Sequence, residues 1–288
     1  MNRTARKNLK LLAALLAALL AVTGCGQGGG SSADNSLKEI TEKGKLTLGC
    51  DDSFPPMGFR DESGEIVGFD IDLARGVAEK LGVELEVKPV VWENKELELI
   101  NGNIDVIWNG YTIMASRDEQ VEFTKPYLNN QQVVAVKKDA PINTLADLEG
   151  KTLGCQAASA AEDVVNGDEA LRSSLADLKS YNDYQTALMD LRISDRVDAI
   201  AGDKVLIEYE MTKMPDTFRI LDESLSEEYY GIGCRKGAKA LAAAIDKALD
   251  DMQSDGSIDA ICANWFENNI VIRDKDKLTQ KELKELEE

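Results

Sequence analysis

The chain has 288 residues, 52 of them acidic and 33 basic, for a net charge of −19, and it contains no histidine. That balance excludes nucleic acid and anionic lipid as partners held through basic patches. The missing imidazole removes the commonest general base and metal ligand, so no metal or other cofactor is expected and most hydrolase chemistry is disfavoured.

Residues 1–24 read as an export signal. Arg3, Arg6, Lys7 and Lys10 form a basic start, and the apolar run Leu11 to Val22 is too short to span a bilayer. The run closes on Val22-Thr-Gly-Cys25, which resembles a lipobox, so Cys25 is expected to be lipidated and to become the mature N-terminus. Residues 25–36 then form a lipidated cysteine and a flexible Gly/Ser tether. The remainder is long enough for one large domain or two lobes.

Lys45-Leu-Thr-Leu-Gly-Cys50 is a short strand running into Asp51-Asp-Ser-Phe-Pro-Pro-Met-Gly-Phe59, where Pro55-Pro56 forbids helix and holds Phe54 in an extended loop. Gly68 to Leu81 is an amphipathic helix with Ile71, Ala74, Ala78 and Leu81 on one face, Asp70 as expected N-cap and Gly82 as stop. Val83 to Val91 returns as a strand ending in Trp92. Ile104 to Trp108 is the next strand, closed by the turn pair Asn109-Gly110, and a hydroxyl (Thr112) and Arg117 follow where a short helix starts. Arginine's planar fork matches a carboxylate with two parallel hydrogen bonds. Strand, helix and strand thus alternate as parallel βαβ units, whose ligands bind beyond the carboxyl ends of the strands. Asp51, Phe54, Trp92, Asn109 and Thr112 all follow strand ends and are expected to converge on one edge; Trp108 lies inside its strand and reads as core.

The strand Gln131 to Lys137 enters a second half in which the chain echoes itself. Gly44 to Cys50 recurs as Gly150-Lys-Thr-Leu-Gly-Cys155, and Leu97 to Gly110 as Ala187 to Gly202. Two echoes in matching order imply paired, similar lobes. Gln156-Ala-Ala-Ser-Ala160 lies between a strand and a helix, where free backbone N–H groups suit a carboxylate. A plain helix cap by Ser159 is equally open. Val197 to Asp203 is a strand with an acid at its end, whereas Asp105 and Asp198 sit mid-motif and suggest structural capping. Tyr229 to Gly237 reads as one last strand returning to the first lobe, followed by helices over Ala238–Met252 and Ser257–Phe266 and by a charged tail from Val271, expected to be a solvated helix or a frayed end. Cys50, Cys155, Cys234 and Cys262 fit no zinc spacing, and both disulfides and buried free thiols stay open.

The stretch Asp105, Gly110, Thr112, Arg117 with its continuation Gln120-Val-Glu-Phe-Thr-Lys-Pro-Tyr127 resembles the strand-turn-Arg motif of bacterial extracellular solute-binding proteins of the polar amino acid family, and the resemblance runs from about Leu46 to about Trp265. It implies an α/β fold of periplasmic-binding-protein type: two similar lobes with mixed, mostly parallel sheets and a two-strand hinge. Residues 37–130 and 235–288 would form lobe 1 and residues 131–234 lobe 2. It further implies a monomeric, lipid-anchored receptor at the outer face of the cytoplasmic membrane, or in the periplasm where an outer membrane exists. That receptor would bind a free L-amino acid and deliver it to ABC permease subunits. By the same resemblance Phe54 and Trp92 wall the ligand side chain, while Asp51 and Gln156 touch its far end. Asn109, Gly110, Thr112, Arg117, Ser159 and Ala160 hold the carboxylate end, and Asp203 receives the ammonium. The Gly-Ser/Thr-Thr common in the family is Ala158-Ser159-Ala160 here, one hydroxyl short. Two other classes share this fold: an enzyme of the cyclohexadienyl dehydratase kind, and a ligand-sensing subunit of a membrane signalling complex.

Overall fold

The computed structural model describes residues 34–194 and 196–287. The signal peptide, the lipidation of Cys25 and most of the tether, all expected from the sequence, lie outside these residues. No helix among the described residues is long and apolar enough to cross a membrane.

The chain opens with α1 (Ser36–Lys43), β1 (Lys45–Cys50), the short strands β2 (Ser53–Phe54), β3 (Gly58–Arg60) and β4 (Ile66–Val67), then α2 (Phe69–Leu81) and β5 (Glu84–Pro89). A 3-10 turn over Trp92–Asn94 leads into α3 (Lys95–Ile100), β6 (Val106–Ile107), α4 (Ala115–Asp118) and β7 (Val121–Phe123). The second half runs β8 (Leu128–Lys137), a 3-10 turn over Leu145–Leu148, β9 (Thr152–Gln156), α5 (Ala160–Gly167), α6 (Glu169–Ser174), β10 (Asp177–Tyr181), α7 (Tyr184–Ile193), β11 (Ala199–Asp203), α8 (Lys204–Lys213) and β12 (Phe218–Tyr230). It closes with β13 (Gly233–Arg235), α9 (Lys239–Asp255), α10 (Ser257–Trp265) and α11 (Gln280–Glu287).

Two five-stranded sheets carry the two lobes, in the orders β5-β1-β6-β13-β7 and β10-β9-β11-β8-β12. In each, four strands share one direction and the fourth in that order, β13 or β8, runs against them. The sequence echoes occupy equivalent places: β1 and β9 are the middle parallel strands, and β6 and β11 their neighbours. Gly44 and Gly150, which open these strands, both hold a left-handed φ of 70°, a turn that only glycine makes without strain. Asp105 and Asp198 repeat as well, each accepting the N–H of the equivalent strand residue, Thr47 at 2.7 Å and Thr152 at 2.9 Å. Both are structural, as their mid-motif places suggest. β8 and β12 pair antiparallel from Lys137/Phe218 to Leu128/Tyr230, and the chain passes between the sheets at the Leu128 and Tyr230 ends of this ladder.

Three local expectations are corrected. Asp70 is not the N-cap of α2; Gly68 takes that place, and Asp70 is fully buried in the first turn. The expected last strand from Tyr229 to Gly237 is two elements in different sheets, the end of β12 and β13. The tail is packed rather than solvated: the Ile272 N–H donates to the Tyr127 carbonyl at 2.9 Å, Arg273 pairs with Asp246 and Asp250, and Leu278 and Leu283 are buried beside Trp92 and Tyr111. Cys50, Cys155, Cys234 and Cys262 are buried free thiols.

Candidate binding cleft

The residues expected to meet a ligand come together where the strand ends of the two sheets face each other. From lobe 1, Asp51 follows β1 and is 7 % exposed. Its Oδ1 accepts from the Ser53 N–H and hydroxyl, and its Oδ2 accepts at 2.5 Å from Nε2 of Gln156, which ends β9 in lobe 2. Burial pushes the Asp51 carboxyl up, against the pull of those bonds. The Asn109 Oδ1 accepts the Asp51 N–H at 2.9 Å and so positions that residue, while its Nδ2 is buried without a hydrogen-bond partner. Gly110 holds φ 59°, and a Cβ there would lie 2.9 Å from the Phe54 ring and 3.2 Å from Tyr230. Only glycine lets Phe54 lie this close. Phe54 in turn meets Tyr184 of α7 across the cleft, ring centres 5.9 Å apart. Trp92 packs edge-on against Tyr111 at 6.0 Å and takes the Lys95 ammonium over its face at 4.7 Å. Phe54 and Trp92 belong to separate apolar clusters.

Arg117 lies in α4, 4 % exposed, its guanidinium 4.9 Å from the centre of the Tyr111 ring. It donates to the Thr112 carbonyl at 3.2 Å and, across the cleft, to the Ala158 carbonyl at 3.3 Å; Asp163 of α5 stands 3.7 Å away. Ser159 caps α5 by accepting the Glu162 N–H at 3.2 Å, and Glu162 reaches back to the Ala158 N–H at 2.7 Å. Ala160 follows as the first helical residue, where the N-terminus offers N–H groups and the positive end of the helix dipole.

Asp203 ends β11 and is 4 % exposed. Its Oδ1 accepts from Tyr230 at 2.6 Å, Gln132 at 2.9 Å and Asn130 at 3.1 Å, while Tyr184 is 3.5 Å from its Oδ2. Burial pushes this carboxyl up; those bonds and the charge of Arg117 oppose the shift.

Three charged residues of this region escape a sequence reading. Lys95, 2 % exposed, donates to the Ala158 carbonyl at 3.1 Å, and burial, then the neighbouring Arg117, brings its ammonium down to about 8. Its spacing to Leu99 and Trp92 puts it on the buried side of a helical stretch, a signal the sequence does carry. Asp70 accepts from the Gly110 N–H and the Tyr127 hydroxyl, both at 2.8 Å, and burial pushes it up to about 7. Glu228 of β12, beside Asp203, shares strand face with Tyr230 by the alternation of a strand. A crevice of about 860 Å³ between the lobes reaches Thr112, Ala160, Asp163 and Glu228; it meets the Arg117 end of the cleft rather than the Phe54 end.

This geometry is a set of paired charges at the carboxyl ends of two similar sheets. The family model of bacterial extracellular solute-binding proteins, family 3, matches residues 46–268. The chain belongs to this family. It is 32 % identical over 234 residues to the L-cystine-binding protein TcyJ of Escherichia coli, covering 80 % of this chain and 85 % of that one. A substrate-binding protein of an ABC uptake transporter from Streptococcus pneumoniae, solved with bound histidine, superimposes with a TM-score of 0.80 at 34 % identity, over 84 % of this chain and 99 % of that one. The ancestral amino acid-binding protein AncCDT-1, described as a precursor of cyclohexadienyl dehydratase, gives a TM-score of 0.74 at 29 % identity, over 81 % of this chain and all of that one. The family match ends before the packed tail and α11.

Proposed function

We propose that this solute-binding protein is an exported receptor, anchored through lipid on Cys25, that binds the zwitterion of a polar L-amino acid between its lobes and presents it to an ABC permease. The observation that carries this reading is the placement of one buried cation and one buried acid, Arg117 and Asp203, on opposite lobes of one cleft. A zwitterion has two opposite charges, and each needs a partner when it leaves water. Arg117 with the Ala160 N–H would take the carboxylate, and Asp203 the ammonium. A ligand bonded to both lobes then favours the closed arrangement over an open one. Asp51 bonded to Gln156, with Phe54 beside them, forms the side-chain end. That end combines an acid, an amide and an aromatic face, which suits glutamine, cystine or a basic side chain.

Thermal melting of the protein against the twenty L-amino acids, cystine and ornithine tests this. A ligand at 100 to 1,000 times its Kd should stabilise by about 3–4 kcal/mol and raise Tm visibly. A folded protein whose Tm none of them moves would contradict the reading. Likeness to AncCDT-1 favours one other reading, a dehydratase acting on a cyclohexadienyl acid; turnover of such an acid by the purified protein would establish it.

A further inference from the structure

Two carboxyls, not one, sit at the ammonium end. Glu228 on β12 is 6 % exposed and lies beside Asp203 on β11. Both draw on the same two amides of β8: Asn130 Nδ2 donates to Asp203 at 3.1 Å and to Glu228 at 2.5 Å, and Gln132 Nε2 donates to each at 2.9 Å. Each amide NH₂ has two hydrogens, so both are fully used. No lysine or arginine is paired with either acid among the described residues; Arg117 acts on Asp203 from the other lobe, and Tyr230 and Tyr184 are neutral phenols. Burial, then the charge of Asp203, pushes the Glu228 carboxyl well above the ordinary carboxylate range, and two hydrogen-bonded acids this close without a paired cation favour holding one proton between them. The two carboxyls are also hydrogen-bonded to each other, Tyr184 stands 3.5 Å from Asp203 Oδ2, and the buried Gln132 Oε1 has no hydrogen-bond partner. An ammonium brings three N–H donors.

We propose that Glu228 is a second carboxylate for the ligand's ammonium and that binding expels the proton held by the Asp203–Glu228 pair. This rests on the reading of Asp203 as the ammonium acceptor. The step is an exchange: the pair loses one proton to solvent, and the cationic ammonium takes its place between the two carboxylates. The charge at the ammonium end is unchanged, because the incoming cation replaces the proton that leaves, and no second anion is left there unpaired. Binding linked to release of one proton strengthens as pH rises, by about tenfold per unit while the free pair holds that proton, and levels off once the pair has titrated.

Calorimetry in two buffers of different ionisation enthalpy counts the proton directly. The titrants are L-glutamine, L-arginine and L-cystine, at pH 7, in phosphate and in Tris. The expected result is release of close to one proton per ligand by the wild-type protein, and near none by Glu228→Gln, whose neutral amide has no proton to give. Heats that are the same in both buffers for the wild type, with binding intact, overturn the role of Glu228 and leave the receptor function standing. Release that persists at full size in Glu228→Gln also overturns it. A protein that binds no amino acid at all overturns the function and the proton exchange together.

Discussion

Ala158 holds a φ of 54°, in the left-handed region. An L-residue with a Cβ pays roughly 1–2 kcal/mol there, partly offset by the smaller entropy its unfolded chain loses. Ala158→Gly is therefore expected to raise stability in urea by up to about 1 kcal/mol; an unchanged or lower midpoint would refute this account of the loop. Asp70 gives a pH signature instead. Its native carboxyl stays protonated up to about 7, while the unfolded chain ionises near the ordinary aspartate value. Between those limits the native state binds more protons, so the contribution of Asp70 to stability falls as pH rises, by about 1.4 kcal/mol per unit at most. Asp70→Asn should thus gain on the wild type in Tm from pH 4.5 to 7.5, and a constant difference across that range would contradict the assignment. At this scale the sequence shows positions better than partners. Asp51 and Gln156 can each be named from strand ends, but the bond between them spans 105 positions and two lobes. The spacing of Lys95 to Trp92 and Leu99 marks a buried side, whereas nothing local to Glu228 records that other elements cover it.

Among elements, the segment after α10 departs most from its sequence reading. Its charge density suggests solvation, yet Lys275 meets the Tyr229 hydroxyl at 2.6 Å, Lys277 meets Glu122 at 2.5 Å, and Leu278 and Leu283 close the apolar face formed by Trp92, Tyr111 and Ile113. The start of α11 is legible: Thr279 and Glu282 form the reciprocal Thr-x-x-Glu cap, with Glu282 accepting the Thr279 N–H at 2.8 Å and its own N–H donating to the Thr279 hydroxyl at 3.3 Å. Burying a leucine contributes about 1.5–3 kcal/mol. Removing residues 270–288 should therefore lower Tm by roughly 6 °C or more. An unchanged Tm would show that the tail is not part of the fold. β12 is hidden for a different reason. Register shifts between Ile220 and Ser224 and between Ser224 and Ser226 break the period-two pattern by which a strand is recognised.

For the whole molecule, the two-lobed plan is legible because it is written twice. The strand openings at Gly44 and Gly150 and the aspartates at 105 and 198 recur in order and take equivalent places in two sheets of matching order. What no local pattern carries is how the halves meet across Asp51–Gln156, Phe54–Tyr184 and Arg117–Ala158. These contacts put the ends of both sheets into one cleft, and the two charges proposed to grip a zwitterion face each other only there. Arg117→Ala and Asp203→Ala should each weaken binding of every amino acid by at least tenfold, since each leaves one ligand charge buried without its partner. Binding by Arg117→Ala at wild-type affinity would remove that residue from the site. The most direct measurement leaves the protein untouched and alters the ligand: titration of the tightest-binding amino acid beside its N-acetyl form and its carboxamide. Loss of binding by at least about a hundredfold for both is expected, because each lacks one of the two charges the lobes would pair. Either derivative binding as well as the parent would show that the cleft does not hold the ligand by its zwitterion.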